Sequence, residues 1–186
     1  QVIETGGETL TRVLAGGTVG SNKAMAVDRV IELPPMTETD KEAIALGNKL
    51  GINHVALSFA NHHEDVELLR NLVGDQVTII AKVESWRGLQ DLDRILQSAD
   101  AILIDRGDLA REVPIENLPF IQKDVIATAN QAGVPVYVAT NLLESMVVNP
   151  IPTRAEANDI INTLLDGADG LVLAAETAVG NYPVGC

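Results

Sequence analysis

Apolar and polar positions alternate along the chain in two patterns. Short runs rich in β-branched residues are typical of strands, and the longer segments between them carry apolar residues three or four positions apart, as amphipathic helices do. The predicted strands are residues 54–60, 77–84, 101–105, 134–140 and 170–176. The predicted helices are residues 37–51, 63–74, 88–100, 115–133 and 154–169. The pattern therefore predicts a repeated βα unit.

Residues that begin and end helices support these boundaries. Thr37 or Thr39 precedes acidic residues at the start of the first predicted helix, and Thr153 with Glu156 three positions later fits a capping box. Glycine is favoured just past a helix end because it adopts the left-handed conformation freely. The glycines in such positions are Gly51, Gly74 and Gly133.

The predicted strands are apolar on both faces, which is typical of a parallel sheet covered by helices, either doubly wound or closed as a barrel. Each strand carries its polar residues at its C-terminal end. In a barrel all those ends meet at one rim, whereas an open sheet brings together only the ends at its switch point. We therefore predict an α/β fold, a partial (β/α)8 TIM barrel with about five parallel strands present.

Charge and composition narrow the classes of function. The chain has 13 Lys and Arg against 26 Asp and Glu, a net charge of −13, which argues against nucleic-acid or anionic-membrane partners. No uncharged apolar run approaches the roughly 20 residues of a membrane helix. The first residues lack the pattern of a targeting signal, and Cys186 is the single cysteine. We expect a cytoplasmic protein, in which an anionic substrate would need locally placed cations.

Candidate chemistry lies at neighbouring strand ends. Lys82 and Glu84 are two residues apart, so their side chains share one face of a strand. Glu84 and Asp108 could hold one Mg²⁺, which usually takes one or two protein carboxylates. Lys82 would then face an anion at that metal, and Thr140 would offer a hydroxyl. The alternative is an ordinary ion pair at the sheet edge.

Several stretches resemble motifs of the pyruvate kinase family in order and spacing. The resemblance runs from about Val13 to Pro183. It implies a barrel of the phosphoenolpyruvate and pyruvate-binding type and a Mg²⁺-dependent transferase acting on phosphoenolpyruvate and ADP. The stretches are "AKVE" (81–84), "IDRGDL" (104–109), "ATNLLESM" (139–146), "PTRAE" (152–156) and "AAETA" (174–178).

The same resemblance assigns roles to single residues. It implies that Glu84 and Asp108 are the protein ligands of Mg²⁺ or Mn²⁺, with K⁺ as a further candidate cation. Lys82 would neutralise the phosphoryl group in transfer, and Thr140 would belong to the proton relay to the enolate. The substrate site would comprise Thr140, Ser58 and the backbone amides near Arg106, Gly107 and Asp108.

Departures from the family pattern lead to a second set of expectations. Asp105 stands where the family has a small residue, and Asn141 replaces a glutamine. An added carboxylate beside Lys82 would oppose phosphoryl transfer more than enolate formation. The alternatives are an oxoacid lyase or aldolase on the same site, or a non-catalytic barrel module with a structural or ligand-sensing role.

The resemblance also predicts how the chain is organised. Residues 1–22 are expected to be the end of a lid-like β segment, and residues 23–186 a portion of the barrel. Because five strands cannot close an eight-stranded barrel, we expect part of a longer chain, a complementing chain, or a homo-oligomer that covers the open sheet. His62 and His63 are expected to form a polar helix start rather than a zinc site.

Overall fold

The computed structural model describes residues 2–7, 9–14, 16–18, 31 and 33–186. The chain divides into two compact units, Gln1–Ile31 and Glu32–Cys186. In the first unit, strand β1 (Val2–Thr5) pairs antiparallel with strand β2 (Thr9–Thr11). The predicted boundary between residues 22 and 23 lies outside the described residues, so the lid-like assignment of residues 1–22 stays a prediction.

The second unit contains a five-stranded parallel sheet. Its strands follow one another in chain order, β3-β4-β5-β6-β7. Sequential order of this kind is that of a barrel wall, because a doubly wound sheet reverses its order at a switch point. The predicted partial barrel with five strands is confirmed. The strands are β3 (His54–Leu57), β4 (Thr78–Val83), β5 (Ala101–Asp105), β6 (Val136–Ala139) and β7 (Gly170–Val172).

Helices connect the strands, as the apolar spacing predicts. The segment predicted as one helix over 88–100 is two helices that meet at Asp91, and the first of them begins earlier because the Ser85 side chain caps it by accepting from the Gly88 amide. The helices are α1 (Glu38–Leu50), α2 (His63–Val73), α3 (Trp86–Gln90), α4 (Leu92–Ser98), α5 (Arg106–Leu109), α6 (Leu118–Ala132), α7 (Arg154–Leu165), α8 (Ala175–Ala178) and a 3₁₀ helix (Glu144–Val147).

The predicted caps form with one exception. Thr37 begins α1 in a capping box with Asp40, and Thr153 begins α7 in a capping box with Glu156. The glycines after α1 and α6 both adopt the left-handed conformation, with φ of 71°. Gly74 ends α2 with φ 83° and ψ 172°, which lies outside the left-handed helical region because the chain turns extended there.

The core lies between the sheet and its helices. In β4 the side chains of Ile79, Ala81 and Val83 are fully buried, whereas Ile80 and Lys82 on the other face are partly exposed. This alternation puts the charged end of Lys82 on the open face of the sheet. Within the described ranges, no helix has the length and apolar character needed to cross a membrane.

Candidate active site

The C-terminal ends of β4, β5 and β6 lie side by side. In the parallel register Lys82 is opposite Leu103, and Asp105 is opposite Ala139. The residues that follow each strand therefore meet at one edge of the sheet. This edge brings together five polar side chains, those of Lys82, Glu84, Asp105, Asp108 and Thr140.

Lys82 lies between two carboxylates. Its Nζ is 2.5 Å from Glu84 Oε1 and 3.5 Å from Asp105 Oδ2. The Glu84 side chain is only 1% exposed, and its Oε2 accepts a hydrogen bond of 2.6 Å from the amide of Phe59, just after β3. Lys82 and Glu84 do share one face, as their spacing predicts, and the ion pair that was the alternative forms there with Asp105 as a third member.

Burial and charge act in opposite directions on this pair. Burial alone would lower the pKa of Lys82, but the hydrogen bond and charge of Glu84, with the charge of Asp105, outweigh it and raise that pKa. Burial raises the pKa of Glu84 by more than Lys82 and the Phe59 amide lower it. Lys82 therefore stays protonated. Ionisation of the buried Glu84 carboxylate remains unfavourable with a single lysine beside it, and further positive charge would stabilise the ionised form.

The turn after β5 connects Asp105 to Thr140. The Thr140 hydroxyl lies 3.2 Å from Asp105 Oδ1 and 2.6 Å from its neighbour's carbonyl oxygen, and it accepts a 2.8 Å hydrogen bond from the Gly107 amide. A Cβ on Gly107 would lie 3.3 Å from the same hydroxyl oxygen, so this close approach favours glycine. The Asp108 amide lies 3.4 Å from Asp105 Oδ1. The hydroxyl of Thr140 is thus held at the carboxylate cluster.

Thr140 and the next residue adopt an unusual backbone conformation. Thr140 has φ of 68° and Asn141 has φ of 52°, in the left-handed region that a β-branched threonine rarely occupies. Strain of this kind persists only where the surroundings fix it. The Arg106 guanidinium donates to both carbonyl oxygens, at 2.7 Å to Thr140 and 3.0 Å to Asn141. Arg106 therefore holds the end of β6 in this shape.

The side chain of Arg106 points into the protein. Its Nη1 lies 2.7 Å from Asp159 of α7 and 3.3 Å from Gln122 of α6, and Gln122 in turn donates to Thr163. Arg106 is 7% exposed. Its predicted contribution to an anion site therefore rests on the backbone of the turn, where Gly107 and Asp108 donate their amides to protein acceptors.

Ser58 is the remaining residue of the predicted substrate site. It follows the end of β3, is exposed, and lines a cleft of about 270 Å³ with Met36 and Leu57. The amide of the next residue, Phe59, is what reaches Glu84. Sequence reasoning missed that amide, because the left-handed φ of 49° at Phe59, which directs the chain at this point, has no signal in the residue type.

Three carboxylates at this edge could share a cation. Glu84, Asp105 and Asp108 each offer an oxygen, and these oxygens lie within 4.8 Å of one another. Carboxylate oxygens are the donors that Mg²⁺ and Mn²⁺ prefer. The donor set fits such an ion, with Asp105 added to the predicted pair. Asp108 also contacts the exposed Arg111 at 3.0 Å.

A second group with possible metal ligands is formed by His62, Glu64 and Asp91. Arg94 lies 3.7 Å from Asp91 and 3.8 Å from Glu64, so a cation already faces both carboxylates. His62 is the residue before α2, and its amide bonds to Asp65 in the first turn of that helix. The predicted polar helix start at the two histidines therefore forms.

Known proteins match this chain along its length. The family model for the pyruvate kinase barrel domain matches residues 1–186. Pyruvate kinase of Geobacillus stearothermophilus is 43% identical over 183 residues, which are 96% of this chain and 31% of that protein. Pyruvate kinase 2 of Synechocystis sp. is 42% identical over 177 residues, 93% of this chain and 30% of that protein. Pyruvate kinase of Agrobacterium vitis is 42% identical over 179 residues, 96% and 37% respectively.

A partial parallel barrel with a cluster of carboxylates and a lysine at its strand ends places the chain in the class of α/β-barrel proteins. The matches identify the family. The chain belongs to the pyruvate kinase family. It spans about a third of the length of the curated relatives it matches. The predicted family is confirmed.

Proposed function

We propose that this chain carries the cation and oxoacid part of a pyruvate kinase-like site, a Mg²⁺-dependent transferase that interconverts phosphoenolpyruvate and ADP with pyruvate and ATP. The observation that carries the proposal is the arrangement of Lys82 between Glu84 and Asp105 at neighbouring strand ends. A reacting phosphoryl group requires a positive charge such as that of the lysine, and a divalent cation requires carboxylate oxygens as ligands.

The cation would be held by Glu84 and Asp108. When bound, Mg²⁺ or Mn²⁺ supplies a Lewis acid for the oxygens of an oxoacid and for the charge of a phosphoryl group. The raised pKa of Glu84 agrees with this role, because a buried carboxylate with one lysine partner gains from a second positive charge.

Lys82 would neutralise the phosphoryl group. An ammonium about 4 Å from a phosphoryl oxygen is worth about 4 kcal/mol at an effective dielectric constant near 20. Asp105 lies 3.5 Å from the same ammonium, so it offsets a large share of that attraction. We infer that phosphoryl transfer is slower than enolate formation in this protein.

Thr140 would move the proton. Its hydroxyl is exposed to the cluster and oriented by the Gly107 amide and Asp105. In this arrangement it would give its proton to the methylene carbon of an enolate, and water would return a proton to the resulting alkoxide. That single proton has two acceptors within reach, Asp105 Oδ1 at 3.2 Å and the Ala139 carbonyl oxygen at 2.6 Å. A carboxylate group of the substrate would replace the protein acceptors now bound to the amides of Gly107 and Asp108.

The remaining expectations are part of the same proposal. They comprise ADP and ATP as second substrate, K⁺ as a second cation, assembly as a homo-oligomer, a contribution of Ser58 to the substrate site and a cytoplasmic location. ADP, K⁺ and Ser58 rest on the resemblance to the family, the homo-oligomer on the open five-stranded sheet, and the location on the composition of the chain.

Deuterium exchange and ATP synthesis test the proposal together. With Mg²⁺ present, the purified protein should exchange the methyl protons of pyruvate with D₂O, followed by NMR, faster than it makes ATP from phosphoenolpyruvate and ADP. Lys82→Met should reduce ATP synthesis severely, and Asp105→Ala should raise it. Asp93→Asn, at an exposed carboxylate of α4, serves as the control.

The outcomes separate the alternatives. Robust ATP synthesis without gain from Asp105→Ala would leave an ordinary pyruvate kinase site. Cleavage or condensation of a longer oxoacid would indicate a lyase or aldolase. Mg²⁺ and pyruvate binding with neither exchange nor ATP would leave the ligand-sensing module, and loss of binding as well would reject the proposal.

A further inference from the structure

The environment of Asp105 differs from that of a carboxylate in a simple ion pair. Its side chain is 11% exposed, yet its contact with Lys82 is 3.5 Å, longer than a charged hydrogen bond, which is usually about 2.7–2.9 Å. The short contact of Lys82, at 2.5 Å, goes to Glu84. Asp105 is therefore a buried anion whose compensating cation is shared and distant, and such a group is expected to be paired more closely or to coordinate a metal.

The hydrogen bonds of Asp105 leave one oxygen facing the cluster. Oδ1 lies 3.2 Å from the Thr140 hydroxyl oxygen and 3.4 Å from the Asp108 amide nitrogen. Oδ2 is the atom that faces Lys82. An oxygen of Asp105 lies within 4.8 Å of oxygens of both Glu84 and Asp108. Oδ1 thus has two protein contacts and Oδ2 has the lysine, and the carboxylate as a whole lies within reach of the two expected ligands.

The charges of the cluster point the same way. Three carboxylates and one lysine sum to −2, which one divalent cation cancels. Arg111 adds a charge only at the rim, where 43% of its side chain is exposed and its contact with Asp108 is screened. A site with two carboxylates and the lysine would instead keep a net positive charge once the cation is bound. Asp105 therefore favours cation binding and disfavours binding of an anionic substrate.

We propose that Asp105 is a third protein ligand of the divalent cation. This deepens the proposed function, on which it rests, by adding a carboxylate where the family has a small residue. A six-coordinate ion would keep three positions for water and substrate instead of four. The consequence is a tighter cation site with fewer open positions, and a weaker attraction for phosphoenolpyruvate.

Mn²⁺ binding tests this without any catalytic assay. Titration followed by electron paramagnetic resonance should show Mn²⁺ affinity at least about tenfold weaker in Asp105→Asn, the size of effect that groups at a metal centre commonly have. Glu84→Gln should weaken it further, and Asp93→Asn should leave it unchanged. Water-proton relaxation should show one more Mn²⁺-bound water in Asp105→Ala than in the parent protein.

The variants distinguish a ligand from a positioning residue. Loss of the Asp105 charge weakens Mn²⁺ binding even if Asp105 is not a ligand, so the count of Mn²⁺-bound waters decides between the two roles. A role limited to charge or to orienting Thr140 predicts an unchanged water count in Asp105→Ala. That result, with weaker binding in Glu84→Gln, would overturn this inference and leave the proposed function standing. Unchanged binding in both variants would overturn both. Asp105→Ala, with a small side chain at this position, provides a second variant in case Asp105→Asn does not fold.

Discussion

Lys82 and Arg106 are both largely withdrawn from water near the end of β5, but their surroundings differ. Arg106 donates from Nε, Nη1 and Nη2 to protein oxygens on four residues and is 7% exposed. The Lys82 side chain is 23% exposed and faces two carboxylates. All the described hydrogen bonds of the Arg106 side chain stabilise the fold, whereas the ammonium of Lys82 is partly accessible to a ligand. A planar guanidinium suits the first task and a compact ammonium the second.

The largest effect is expected at Arg106. Arg106→Met should lower the free energy of unfolding by about 3–5 kcal/mol, because it leaves Asp159 and the carbonyls of residues 140 and 141 without their partner. Urea denaturation measures this, and added Mg²⁺ should not restore the loss. Lys123→Gln is the control, since its ion pair with Asp166 is half exposed and worth under about 1 kcal/mol. If Arg106→Met lowers the free energy of unfolding no more than Lys123→Gln does, the hydrogen bonds of the buried Arg106 do not stabilise the fold more than a surface ion pair does.

A smaller and reversible effect is expected at Lys82. Lys82→Met should lower the free energy of unfolding by about 2 kcal/mol in metal-free buffer, less than a fully buried pair because the lysine is partly exposed. A saturating divalent cation should restore most of it, since the ion supplies the charge that the carboxylates have lost. Denaturation with and without Mg²⁺ measures both values. Failure of Mg²⁺ to restore stability would place the cation away from Glu84.

The smallest effect concerns the partly exposed carboxylate of Glu156, which accepts several hydrogen bonds. Burial is the largest single influence on the pKa of Glu156 and raises it, but the hydrogen bonds from Ser145 and Thr153 together outweigh it and lower the pKa to about 2. Because the folded pKa is below the unfolded one, the stabilisation is full above about pH 4.5 and is lost as the pH falls through about 2.

Screening by solvent reduces this contribution to about 1 kcal/mol. Glu156→Gln should therefore lower stability by about that amount at pH 7 and change it little near pH 2, in denaturation curves at both values. Equal losses at both pH values would mean that packing rather than charge accounts for the effect. Glu156 could then no longer serve as an example of a purely electrostatic contribution with which to compare Lys82.

Sequence reasoning succeeded where short-range patterns determine the structure. The β-branched runs and their spacing predict five parallel strands, and the capping boxes at Thr37 and Thr153 form as expected. Lys82 and Glu84 share a face for the same reason, since alternation within one strand is a local property. The meeting of β4, β5 and β6 at one rim follows from the parallel order.

The rest depends on contacts between distant residues. The long contact between Asp105 and Lys82 and the direction of the Arg106 side chain towards α6 and α7 follow from packing across segments. The early ends of β3 and β6 arise from left-handed residues at Phe59 and Thr140, which residue type does not favour. The extra turn α5 forms because Asp105 caps it, which a strand pattern hides.

The left-handed backbone at Thr140 has a consequence for how reactivity can be tuned from a distance. The hydroxyl that faces the carboxylates is held in place by Arg106, whose own position is set by Gln122 and Asp159 on helices behind the sheet. Substitutions on α6 and α7 that never meet a substrate would therefore shift the orientation of that hydroxyl. A screen for variants with altered turnover should recover these remote positions beside those of the rim itself.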